Sequence, residues 1–67
     1  MKFSKSTASE LGALIAEALH EGGDIAARGG ALRVLYAIQN AVAVEEYQTY
    51  RVLTDAFRAR IRELEPR

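Results

Sequence analysis

The chain predicts an all-α protein: a helical hairpin with a short first helix and a long second helix, two hairpins joining as a dimeric bundle. Three observations carry this expectation. Apolar residues recur at helical spacing from Ala8 onward. Four glycines fall between Gly22 and Gly30, where a chain of helix formers needs its joint. From Ala31 to Leu64 there is neither Gly nor Pro, and most residues favour helix.

The first element reads from about residue 8 to 21. Thr7-Ala8-Ser9-Glu10 fits a capping box, in which the Thr7 hydroxyl accepts from the Glu10 N–H and the Glu10 carboxylate reaches back. Ala8, Leu11, Leu14, Ile15, Ala18 and Leu19 form its apolar stripe. Gly22-Gly23 stops it, since glycine accepts the left-handed conformation at a helix end. Residues 22–30 read as a flexible joint holding one short turn, capped by Asp24, anchored by Ile25, running through Arg28 and closed by Gly29-Gly30.

The second helix reads from about 31 to 64 and ends before Pro66. An unbroken helix of that length spans about 50 Å. Its stripe is Leu35, Ile38 and Val42, then Tyr50, Leu53, Phe57, Ile61 and Leu64, with Glu46 and Thr49 as polar members in the middle. That polar gap leaves open a break near 43–46, although neither a capping residue nor a glycine marks one. A flanking set, Val34, Ala37, Ala41, Val52 and Ala56, widens the apolar arc enough for packing on two sides.

Residues 1–67 form a single helical domain on this reading, since the length is below that of a typical domain. Hydrophobic residues are 49% and charged residues 27%, which argues against a disordered chain. Nine basic and nine acidic side chains cancel, which weakens any case for general binding to nucleic acid or to anionic membranes. The absence of cysteine removes disulfides, thiolate metal sites and cysteine nucleophiles. Ser6, Thr7, Ser9 and Glu10 follow Lys2 and Lys5 where a signal peptide needs an apolar core. No run approaches the ~20 apolar residues of a membrane span. The expectation is a soluble cytoplasmic protein with no membrane role.

Chemistry-bearing patterns are few. Glu17-x-x-His20 has the spacing of di-iron helix bundles, with Glu46 as a conceivable facing ligand. On the helical wheel, however, Glu17 and His20 point away from the core that such a site needs, so no metal and no cofactor are expected. No P-loop, dinucleotide fingerprint or serine–histidine–aspartate ordering is present, and the chain reads as non-enzymatic. Arg51, Arg58 and Arg62 share one outer face that could touch phosphates, and Arg60 stands near the stripe, where it could meet Glu46 across a dimer. Helix-turn-helix registers at Gly12, Gly22 and Gly23 place charged or tiny residues where apolar ones are required, which disfavours that mode of nucleic-acid recognition.

A short helix covers less than half of a 50 Å one. The uncovered stripe and its charged rim, Tyr47, Tyr50, Arg51, Leu53, Phe57, Arg58 and Ile61, are therefore the expected protein interface. The functional expectation is a small non-catalytic protein-binding regulator, inhibitor or assembly factor acting through an amphipathic helical surface, of the bacterial or phage regulator type. It would self-associate as a homodimer and bind a larger protein partner. The alternative is a dimeric nucleic-acid-binding regulator using the C-terminal arginines.

Overall fold

In a computed structural model of the chain, residues 4–23 and 25–65 are described, the side chains of 25–28 excepted. They form three α-helices, α1 (Lys5–Gly22), α2 (Ile25–Ala41) and α3 (Val44–Leu64), with no strand among the described residues. The all-α class holds. The two-helix hairpin does not, because the region read as one long helix is divided between α2 and α3.

The helix α1 begins one turn earlier than the capping box suggested. Ser4 is extended, and its hydroxyl accepts from the Thr7 N–H at 3.1 Å. Starting at Lys5 brings Ala8 inside the helix, where it is fully buried. At the other end Gly23 adopts φ 69° and its N–H donates to the His20 carbonyl at 3.1 Å. That is the left-handed glycine cap, and it turns the chain. The expected joint over 22–30 is thereby shortened, for Gly29 and Gly30 lie within α2. Alanines and Leu32 around them favour helix, and packing of α2 on α3 outweighs the glycine penalty. The expected Asp24 cap lies outside the described residues.

The break falls at Val42–Ala43, at the edge of the interval the polar gap marked. Ala43 is extended (φ −61°, ψ 153°) and offers no side-chain cap. Its carbonyl instead accepts from Glu46 and Tyr47 at 2.9 and 3.1 Å. Glu45 and Glu46 occupy the first turn of α3, where their charge favours the positive end of the helix dipole. Folding here produces helices of 18, 17 and 21 residues, similar enough in length for each to cover another. An unbroken helix would leave much of its stripe in water.

Gly12 lies against Leu53 to Phe57, and Glu17 reaches Arg60. The helices α1 and α3 therefore run in the same direction. Gln39 meets Tyr47 while Tyr36 meets Arg58, so α2 runs antiparallel to α3. The helix α1 packs closely on α3, α2 packs on α3 more lightly, and α1 and α2 barely meet. The core is Ala8, Ala16, Leu35, Leu53 and Phe57, with Ile15, Leu19, Leu32, Val52 and Ile61 partly buried against it.

The closest part of the contact between α1 and α3 is made by small residues of α1, with Ile15 and Leu19 packed beside them. Ala8, Gly12 and Ala16 recur every fourth residue, and all are buried. A Cβ added to Gly12 would overlap the Leu53 carbonyl oxygen and stand 3.0 Å from the Phe57 nitrogen and 3.1 Å from the Ala56 Cβ. Two of those atoms are α3 backbone, which cannot yield as a flexible side chain would. A Cβ at Gly30 meets nothing within 4 Å.

The same substitution should therefore have opposite effects at the two positions. Gly12→Ala is expected to lower stability by about 1–3 kcal/mol through overpacking, and Gly30→Ala to raise it by about 0.5–1 kcal/mol through helix propensity. Urea melts of the two variants measure this, and a shift of the same sign in both would contradict the packing described.

Candidate interaction surface

The structure divides the stripe expected to be an interface. Leu53 and Phe57 are only 4% and 2% exposed, held under α1 and in contact with the core. They are corrected here from interface to core residues. The expectation rested on a short α1 lying along an unbroken partner, whereas α1 and α2 both cover α3. Tyr50 and Ile61 are half-buried beside them, and the Tyr50 carbonyl accepts from the buried Thr54 hydroxyl at 3.1 Å. Tyr47 is half-buried, and its hydroxyl accepts from Gln39 Nε2 at 3.2 Å, tying the end of α2 to the start of α3. Gln39 is itself buried, with its Oε1 unpartnered among the described residues. Arg51 and Arg58 are exposed.

The large apolar residues left outside are mostly on α1 and α2. Leu14 is 59% exposed, Val34 57% and Leu11 41%, with Ile38 and Tyr36 close to that level and Val44 88% exposed at the start of α3. This inversion follows from the seam. Packing Ala8, Gly12 and Ala16 against α3 rotates Leu11, Leu14 and Ala18 away from it, because at 100° per residue they occupy other faces of α1. Leu11 and Leu14 stand outside the core expected of the α1 stripe, because at this crossing size outweighs hydrophobicity. The missed signal was the small-residue spacing Ala8, Gly12 and Ala16, four apart, which permits close backbone approach.

A second concave feature lies between the first half of α2 and the end of α3. Leu32, Phe57 and Ile61 form its apolar floor, and Arg58, Arg62 and Glu65 its rim, enclosing about 290 Å³. Gly29 borders it and adds no side chain. Phe57, Arg58 and Ile61 are thus brought together, but as the lining of an open groove.

Several charged residues, most of them on the second half of α3, are engaged within the chain. Arg60 donates through Nε to Glu17 at 3.0 Å and through Nη1 to Glu63 at 3.4 Å. This replaces the pairing with Glu46 expected across a dimer. Arg60 and Glu17 are each more than a third exposed, so solvent screening limits such a pair to about 0.2–1 kcal/mol. Arg58 donates to the Tyr36 hydroxyl at 3.1 Å, and Arg51 stands 3.9 Å from Asp55. Of the three arginines on the outer face of α3, Arg62 makes neither an ion pair nor a hydrogen bond among the described residues.

Glu17 and His20 share one end of α1, whereas Glu46 begins α3, 14 residues and about 21 Å along that helix from Arg60. The three are not brought together, and no group of three or more His, Asp or Glu among the described residues could hold a metal ion. No described helix is long and apolar enough to cross a membrane. No protein-family model, curated protein or solved structure matches this chain.

Introducing a carboxylate separates core from surface. Phe57→Asp buries an unpaired charge at a fully covered site and is expected to unfold the chain, since that cost is several kcal/mol. In the dilute, isolated chain Leu14→Glu places its carboxylate in water and should change the melting temperature by only a few degrees. Circular dichroism melts test the pair; a folded Phe57→Asp chain would contradict the core assignment.

Proposed function

We propose that the chain is a small non-catalytic protein-binding regulator or assembly factor, acting through the apolar face of α1 and α2. One observation carries this reading: the fold buries Ala8, Gly12 and Ala16 of α1 and leaves Leu11 and Leu14 exposed, together with Val34 and Ile38 of α2. Burying these side chains against a partner stabilises by roughly 25 cal/mol per Å² of apolar surface removed from water. Exposing them yields nothing in an isolated chain. A chain of this size buries only about 60% of its unfolded surface, so leaving its leucines outside is a cost that a partner would offset.

The alternative, nucleic-acid binding by the α3 arginines, has weaker support. Arg51 and Arg58 already have partners within the chain, and net charge is zero. It predicts retention of DNA in a gel shift that weakens steeply between low and moderate salt.

The principal reading is tested by side-chain footprinting. Carbene labelling of Leu14, Val34 and Val44 in the dilute purified chain sets the unprotected level. In cell lysate, labelling of Leu14 and Val34 is expected to fall several-fold while that of Val44, at the helix start, falls less. Equal labelling of Leu14 and Val34 in both samples would sink the proposal.

A further inference from the structure

Leu11 and Ala18 lie on the flank of α1 away from Glu17, and Val34 and Ile38 on the flank of α2 away from Tyr36. Glu17 and Tyr36 each bond to α3, at Arg60 and Arg58. The opposite flanks therefore face one another across the side of the bundle where α1 and α2 barely meet. The three helices form an angle with α3 at its corner, and the open side is an apolar notch.

We infer that this notch is filled by a second copy of the chain, related by a two-fold axis parallel to the helices, so that each α1 packs against the partner's α2. The inference rests on the reading that this face binds protein, and it names the occupant. Three features favour a second copy.

The first is area. The chain exposes 4691 Å², against roughly 4200 Å² expected of a compact monomer of its mass. The excess is a large part of the roughly 800 Å² that each partner contributes to a standard interface. The radius of gyration, 11.8 Å, likewise exceeds the roughly 11 Å of a compact chain of this length.

The second is shape. A two-fold contact must be self-complementary. The two walls of the notch lie on different helices, so a rotated copy presents its α2 wall to α1 and its α1 wall to α2. Both contacts are then identical, and they close with two copies.

The third is charge. Exposed Glu10 and Glu21 lie beyond Leu14 on the outer rim of α1, and exposed Arg33 lies beyond Val34 on the outer rim of α2. The two-fold pairing brings these rims to the same edge of each contact. Arg33 of one copy then falls level with the middle of α1 of the other, between the two glutamates. Within one chain the rims point away from each other.

The test is a charge exchange. Arg33→Glu in one preparation and Glu10→Arg with Glu21→Arg in another create like-charge contacts in each homodimer and restore attraction in the mixed dimer. All altered residues are exposed, so folding is preserved and is checked by circular dichroism. Sedimentation equilibrium of the wild-type chain is expected to give twice the 7.4 kDa chain mass. Each variant alone should dimerise about tenfold more weakly, and an equimolar mixture should recover wild-type affinity as a heterodimer. Wild-type chain that is monomeric at every concentration overturns the inference, as does a dimer indifferent to both variants, which would use another face. Footprinting keeps the two claims apart. Protection of Leu14 and Val34 on concentrating the purified chain supports a second copy. Protection in lysate alone overturns the second copy but leaves the protein-binding reading standing, and protection in neither removes both.

Discussion

The close approach of α1 to α3 at Gly12 is the constraint on which the remaining arrangement depends. With no side chain at that position, the α1 backbone lies directly against the α3 backbone at Leu53 and Phe57. Ala8 and Ala16, one turn to either side, continue the contact. Such a seam removes few large side chains from water, so its stability comes from the density of backbone and methyl contacts and from what it lets α3 bury. Leu53 and Phe57 supply most of the apolar volume of the core, and they do so from the α3 side alone.

Two consequences follow from the rotation that this seam imposes on α1. The first is that Leu11 and Leu14, which would drive burial in an ordinary amphipathic helix, face outward. The second is that α2 cannot nestle against α1. It is drawn to α3, where Leu35 is buried and the Gln39–Tyr47 and Tyr36–Arg58 bonds fix its register. The molecule is built around α3, with two helices leaning on it and little between them. Among the described residues the buried apolar core is small for the number of residues it must order, and an occupant of the open side would add packing.

The sequence disclosed some of this and concealed the rest for physical reasons. Helical periodicity and the absence of breakers in α3 made the all-α class legible, and Gly23 acted as the stop that glycine usually provides. The break at Val42–Ala43 carried a weaker sign. Ala43 is neither a cap nor a breaker, and the informative residues were Glu45 and Glu46, whose charge suits a helix start but equally suits an exposed helix face. Gly29 and Gly30 misled in the opposite direction, because local propensity there yields to packing on α3. The stripe of α3 was identified correctly as apolar, but its fate depended on α2 folding back. The inside of α1 was hidden by a general habit of reading, which ranks leucine above glycine as a core residue. At a helix–helix crossing this close, size decides instead.

The central claim is that α1 meets α3 through Gly12 and not through Leu11 and Leu14. The most direct measurement is a set of proton–proton Overhauser contacts in the isotopically labelled chain. The account predicts contacts from the Gly12 α-protons to the Ala56 methyl and the Phe57 amide, with no contact between the Leu14 methyls and α3. Strong contacts from the Leu11 and Leu14 methyls to Leu53 and Phe57, with Gly12 facing water, would contradict it and return the leucines to the core.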